Sequence, residues 1–278
     1  MKKHKKLLLA VVIVLVIVVS GVGVGLGHEL FTTLPSSLAI SSHTDKAPLM
    51  VAHRGLSSLY PENSIPALEA AAEYGFDGYE FDVHTTKDGK WVVIHDDTVD
   101  NMTAESGDVE SFTFEEIRKM KLDNGNGIED YPDEKIPTLE EALEIYKNSG
   151  ITPIIEIKKC DVQYLPSFTE ILEKYGVKDK AVIISFTREY LEKYRELDKD
   201  AEIMLLKGTP EKDDVDWCIE YSAGLDFGYY NVYKCSDVLS YAREKGVKLG
   251  VWTVDNTAYM DVMVMLGAEI ITTNKILP

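Results

Sequence analysis

The sequence is poor in cysteine, short of positive charge, and has no glycine-rich phosphate loop. Its 3 cysteines, Cys160, Cys218 and Cys235, are widely spaced. An odd number so dispersed excludes a disulfide framework and matches no zinc-ligand spacing, leaving room for at most one bridge. Lysine and arginine number 29 against 47 aspartates and glutamates, for a formal net charge of -18. Nucleic acid is not expected as a partner, because binding it needs a basic footprint. Most of the acidic surplus serves solubility. An acidic protein that handles an anion must supply positive charge locally, and a bound cation is one way to do so.

What is present begins with an N-terminal basic flank, Lys2, Lys3, His4, Lys5 and Lys6, followed by an apolar run from Leu7 to about Leu26. About 20 residues at 1.5 Å rise cross a ~30 Å hydrocarbon core. Residues 1–27 are therefore expected to be a basic flank and transmembrane anchor. Residues 28–47, rich in serine and threonine, suit a linker. A cleaved signal peptide is the alternative, although its apolar region is usually only about 7–15 residues and is followed by a small-residue cleavage site. Either reading exports residues 48–278, because the basic flank stays in the cytoplasm. The retained anchor leaves the domain tethered outside the cell, and the cleaved signal leaves it secreted.

From Leu49 on, short apolar strands alternate with helical stretches. Strands are predicted at Leu49–His53, Gly78–His84, Thr152–Lys158, Ala181–Phe186, Glu202–Lys207, Leu225–Gly228, Lys248–Val254 and Glu269–Thr273. Helices are predicted at Ser64–Tyr74, Leu139–Lys147, Arg188–Leu197, Asp214–Tyr221, Ser236–Lys245 and Ala258–Leu266. Strand–helix alternation argues for a parallel sheet. Eight units of this size point to a closed (β/α)8 barrel of the TIM type. An open doubly wound sheet would want the missing phosphate loop. A small insertion, about 97–135, interrupts the repeat, and Phe114–Lys121 within it has helical character. The eighth helix is missing or replaced. Functional residues are expected at the C-terminal strand ends.

Those ends carry polar residues. His53-Arg54-Gly55 closes the first strand, a combination suited to proton transfer and phosphate binding. In Glu80-Phe81-Asp82-Val83-His84 the polar residues share one face and the apolar pair the other. Two carboxylates facing a barrel interior repel each other and lose hydration, which a hard divalent cation with oxygen ligands resolves. Asp88-Gly89 marks a two-residue hairpin. That register pairs Lys87 with Lys90 and Thr86 with Trp91, and sets His95 opposite Asp82. Glu156 interrupts an apolar strand and shares a face with Lys158, so a third carboxylate joins the group, or the two form an ion pair. Together these residues suit attack on a phosphodiester, with a cation neutralising phosphate oxygens and the histidines moving protons.

With these residues in view, the sequence resembles the glycerophosphodiester phosphodiesterase family. The resemblance rests on His53-Arg54-Gly55, Pro61-Glu62-Asn63-Ser64, Glu80-Phe81-Asp82-Val83, Thr86-Lys87-Asp88-Gly89 and His95-Asp96. Further along it rests on Glu156-Ile157-Lys158, Ser185-Phe186, Val251-Trp252-Thr253-Val254 and Ile271-Thr272-Thr273-Asn274. The resemblance implies a barrel with a short insertion after the second histidine motif. It implies His53 and His95 as an acid/base pair, Glu80, Asp82 and Glu156 as ligands of one Ca2+ or Mg2+, Arg54 and Lys158 on the phosphate, and Trp252 at the glycerol end. The implied reaction hydrolyses small or lipid-derived glycerophosphodiesters to glycerol 3-phosphate and an alcohol, through a cyclic phosphate. Lysophospholipids and polyglycerol-phosphate polymers are alternative substrates, and a non-catalytic surface binding protein is a third reading. The chain departs from the family at Ala268-Glu269, where an aspartate–glycine pair is usual, and at Lys275-Ile276-Leu277. Both departures concern closure of the barrel.

Overall fold

In a computed structural model, described over residues 47–276, nine strands form one sheet. They are β1 (Leu49–Ala52), β2 (Gly78–Thr85), β3 (Trp91–Val93), β4 (Thr152–Lys159), β5 (Val182–Ser185), β6 (Glu202–Lys207), β7 (Gly224–Gly228), β8 (Leu249–Trp252) and β9 (Ile270–Thr273). All but β3 are parallel and close on themselves, in the order β1-β9-β8-β7-β6-β5-β4-β2 with β2 pairing back to β1. β3 lies outside this ring as the antiparallel hairpin partner of β2. The Ala268-Glu269 departure leaves closure intact: Leu49 donates to the Glu269 carbonyl, and all of β9 pairs with β1 in register.

The helices are α1 (Ile65–Glu73), α2 (Phe114–Ile117), α3 (Leu139–Ser149), α4 (Leu165–Lys174), α5 (Arg188–Leu197), α6 (Lys212–Glu220), α7 (Ser236–Glu244) and α8 (Thr257–Met265). Local chemistry fixes several ends. Ser64 caps α1 by accepting from the Ala67 amide, with proline in the first turn. Thr138 and Glu141 form a capping box on α3, which Gly150 closes at φ 77. Helix α4 has no counterpart among the helices predicted from sequence, which leave Lys158 to Ala181 without one. Pro166 sits there in the first turn of α4, where its missing N–H is not needed. The helix predicted over Phe114–Lys121 is the single turn α2, inside a capping box of Thr113 and Glu116. No helix follows β9 among the described residues.

Apolar side chains of β2 and β4, including Phe81, Val83, Ile155 and Ile157, pack outward against the helices. Val51, Ile154, Val182, Ile184, Met204, Leu206 and Ile270 fill the barrel interior. The insertion has its own small core of Val99, Met102, Val109, Ile117, Met120 and Leu122 under Val92, Ile94 and Ile136. It is tied to the loop after β1 by Asn126, which donates to the Ser57 carbonyl. All three cysteines are free and buried. The expected transmembrane segment and linker lie outside the described residues. Among the described residues, no helix is long and apolar enough to cross a membrane.

Candidate active site

Above the apolar layer, the interior turns polar at the C-terminal ends of β1, β2 and β4. Glu80, Asp82 and Glu156 are all buried, and one ligand oxygen from each lies within 4.8 Å of the others. The alternation read in β2 and the register Asp82↔Glu156 place them on one inward face. A protein donor orients each carboxylate. The Arg54 amide donates to Glu80 Oε2 at 2.8 Å, Asn63 Nδ2 to Asp82 Oδ2 at 2.8 Å, and Lys158 Nζ lies 2.9 Å from Glu156 Oε1. Burial, reinforced by Asp82 and Glu156, pushes the Glu80 carboxyl well above its ordinary range. Burial and then Asp82 push Glu156 up to about 8. Burial works in the same direction on Asp82, yet His95, Arg54 and Lys158 hold it low. Arg54 and Lys158 offset only part of the repulsion between these buried oxygens, since Glu80 and Glu156 stay raised, and a hard divalent cation fits there.

His53 follows β1, with Nε2 4.0 Å from Glu80 Oε2. Its Nδ1 lies 2.7 Å from Asn274 Oδ1. Asn274 is itself oriented by Asp255, which accepts from both its backbone and its side-chain amide. Asn274 therefore turns its oxygen to the ring, so His53 Nδ1 carries the proton and Nε2 bears the lone pair. Burial, and then Arg54, bring its pKa down to about 4. Arg54 and Gly55 both have positive φ, 55 and 73. A Cβ on Gly55 would sit 2.4 Å from the Ala67 carbonyl carbon, so only glycine lets this turn pack on α1. The turn aims Arg54 inward, with Nη1 2.8 Å from Glu62 Oε1 and Nε 3.6 Å from Asp82 Oδ2.

His95 reaches the site by a different register from the one predicted. Thr85 pairs with Trp91, and the Thr86 amide donates to the Lys90 carbonyl, one residue off the expected pairing. Lys87, Asp88 and Gly89 are thus a three-residue loop, with Gly89 at φ 73 in its left-handed position. Ile94, not His95, thus stands across from Asp82 and donates to its carbonyl. The chain leaves the ladder there, and His95 swings in beyond the end of β3. Its Nε2 lies 3.1 Å from Lys158 Nζ and its Nδ1 2.7 Å from Asp96 Oδ1. Lys158 touches both Glu156 and His95, so the ion pair and the shared site are one arrangement.

Trp252 ends β8 at the barrel mouth, edge-on to Phe186 at 5.6 Å and to Tyr230 at 6.2 Å. Lys158 Nζ lies 5.8 Å from the Phe186 ring, which links this aromatic wall to the polar centre. The sequence reading gave no role to Asn63, Asp255 or Asn274. The Pro61-Glu62-Asn63-Ser64 and closing segments were the available signals.

Residues 53–277 match the Glycerophosphoryl diester phosphodiesterase family. The chain belongs to that family. It is 36% identical to a glycerophosphodiester phosphodiesterase of Caldanaerobacter subterraneus subsp. tengcongensis, over 81% of this chain and 93% of the relative. A glycerophosphodiester phosphodiesterase structure from Parabacteroides distasonis superposes with a TM-score of 0.70 at 28% identity, covering 82% of this chain and 92% of that one. An Oleispira antarctica phosphodiesterase, solved with the product sn-glycerol-3-phosphate, shares the fold at a TM-score of 0.74 and 23% identity, covering 82% and 93%. As a member of this family, the chain brings together on one barrel end His53, Arg54, Glu80, Asp82, His95, Glu156 and Lys158.

Proposed function

We propose that this protein hydrolyses glycerophosphodiesters to glycerol 3-phosphate and an alcohol, with one divalent cation, Ca2+ or Mg2+, held by Glu80, Asp82 and Glu156. The observation that carries the reading is the buried carboxylate trio with His53 and His95 beside it and Arg54 and Lys158 at its rim. The cation, when bound, neutralises charge on the phosphate oxygens.

His53 is the base. Its lone pair is on Nε2, where the Asn274 contact leaves it, and its depressed pKa keeps it neutral at neutral pH. Nε2 takes the proton of the glycerol hydroxyl next to the phosphate as that oxygen bonds to phosphorus. The phosphorus–oxygen bond to the alcohol breaks, and His95 Nε2, once Lys158 has turned from it to the phosphate, carries the proton that the alcohol takes. Asp96, 2.7 Å from the other ring nitrogen, fixes the orientation of the His95 ring. Water then opens the cyclic phosphate with the histidine roles reversed. Such acid–base pairs supply about 10²–10⁴ in rate per group. Arg54 and Lys158 bind the phosphate oxygens, and Trp252 lines the glycerol end.

The apolar run from Leu7 to about Leu26 supports a tether that holds this barrel outside the cell; a secreted form after cleavage is the other outcome of export. A lysophospholipid is the second substrate reading, favoured by the exposed rings of Phe186 and Tyr230 beside Trp252. Purified full-length protein, given glycerophosphocholine, glycerophosphoethanolamine, glycerophosphoglycerol and lysophosphatidylcholine in parallel, is expected to release glycerol 3-phosphate from one or more of the first three. Turnover of the lysolipid alone selects the second reading, and turnover of none overturns both.

A further inference from the structure

A third histidine stands at this end of the barrel. His84 is fully buried near the C-terminal end of β2, on the same inward face as Glu80 and Asp82. Its Nε2 lies 3.2 Å from the backbone carbonyl oxygen of His95. Its Nδ1 is buried with no hydrogen-bond partner. A carbonyl oxygen only accepts, so the proton is on Nε2, and His84 is the neutral tautomer with a bare Nδ1.

A buried ring nitrogen without a partner has lost its hydration with nothing in exchange. A leucine or methionine would fill the same space without that penalty, so the retained imidazole needs a reason beyond packing. The backbone around it supplies one. The β2–β3 ladder ends at Val83↔Val93, and the Ile94 amide makes the last backbone bond to β2 at the Asp82 carbonyl, 3.0 Å away. The next backbone bond of that segment among the described residues is from Val109 to the Asp97 carbonyl. Between these two anchors lies His95. The β2–β4 register also shifts between Val83 and His84, so that His84 pairs with Lys159 and Lys158 falls in the irregularity. One short stretch of β2 thus borders both Lys158 and the turn carrying His95.

We propose that His84 is a positioning residue: its Nε2–H holds the His95 carbonyl and takes the place of the missing ladder rung. The His95 ring then meets Lys158 at 3.1 Å and Asp96 at 2.7 Å. The inference rests on the phosphodiesterase reading for its rate effect, while the backbone clamp stands on geometry alone.

Three variants test it in the full-length enzyme. His84→Met fills the space without a donor. His84→Gln places an amide N–H near the Nε2 position, and His84→Asn places one near Nδ1, short of the carbonyl. Second-layer groups of this kind are typically worth about 10–100-fold. His84→Met and His84→Asn are expected to lose kcat by about tenfold or more with KM within about twofold of wild type, and His84→Gln to recover most of the loss. Equal activity in all three, or a His84→Gln as low as His84→Asn, overturns the inference. Should the wild type hydrolyse nothing, the functional reading falls, and a crystal structure of His84→Asn decides the clamp. A His95 ring displaced from Lys158 supports it, and an unmoved ring overturns it.

Discussion

Asn274, just past the last barrel strand, accepts a hydrogen bond from His53, just past the first, at 2.7 Å. The two are 221 residues apart in sequence and meet only because β9 pairs with β1. Asp255 orients the amide so that its oxygen faces the ring. Asn274→Leu removes the acceptor and with it the preference for a lone pair on Nε2. Its kcat is expected to fall by about 10², with binding of the divalent cation retained. Steady-state kinetics and calorimetric titration of the metal check both halves, and an unchanged kcat contradicts the assignment.

Glu80→Gln separates metal binding from fold stability. Without a cation, Glu80 is a buried carboxyl pushed up by burial, Asp82 and Glu156. The amide removes that repulsion, so the variant is expected to melt at a higher temperature than wild type in EDTA. A ligand that binds only the folded state raises Tm, with a stabilisation that grows as the logarithm of its concentration over Kd. Ca2+ or Mg2+ should therefore raise the Tm of the wild type and leave that of the variant unchanged. A metal-induced rise that persists in Glu80→Gln argues against the carboxylate trio as the ligand set.

Much of this architecture was legible in the chain because period-two alternation fixes which side chains enter a barrel. Glu80, Asp82 and Glu156 interrupt otherwise apolar strands and could be placed on one face without coordinates. The hairpin register was not legible to the residue: Asp88-Gly89 suits a two-residue turn, a glycine at positive φ serves either loop, and only the pairing of Thr85 with Trp91 shows the longer one. His95 still arrives, because it lies past the ladder, where register no longer dictates direction. Asn63 and Asn274 were out of reach for another reason. Their partners, Asp82 and His53, are distant in sequence, and a single polar residue in a loop carries no periodic signal. Helix α4 was hidden by Pro166, whose effect depends on whether it falls in the first turn or the interior.

Gly55→Ala tests the turn that carries Arg54. Position 55 has φ 73, and an added Cβ would lie 2.4 Å from backbone of α1. Neither obstacle can be relieved by a side-chain rotation. The variant is expected to lose about 3 kcal/mol of stability, measured by urea denaturation. A loss below about 1 kcal/mol would mean that the turn adapts.

Asp226 makes stability depend on pH. It faces the barrel interior, its Oδ1 has no hydrogen-bond partner, and burial followed by the charge of Glu156 pushes its carboxyl up to about 8. The unfolded chain releases that proton near the ordinary value of about 3.9. Between about pH 4 and pH 8 the folded state holds a proton that the unfolded state has lost, so this group's contribution to stability falls as pH rises, then levels off. Asp226→Asn cannot ionise. Its stability relative to wild type is expected to grow across that window by an amount on the order of a few kcal/mol. Denaturation curves at pH 5 and pH 8.5, both in EDTA, measure it, and a constant difference contradicts the buried, unpaired carboxyl.

The central claim is that the carboxylates and the two histidines act as one hydrolytic site. Its most direct test is release of glycerol 3-phosphate from a glycerophosphodiester by wild type, His53→Ala and His95→Ala, each with Ca2+ or Mg2+ and again with EDTA. Metal-dependent release is expected from the wild type, abolished by EDTA and reduced by about 10² or more in each histidine variant. Release that survives EDTA, or that persists at wild-type rates without either histidine, would contradict it.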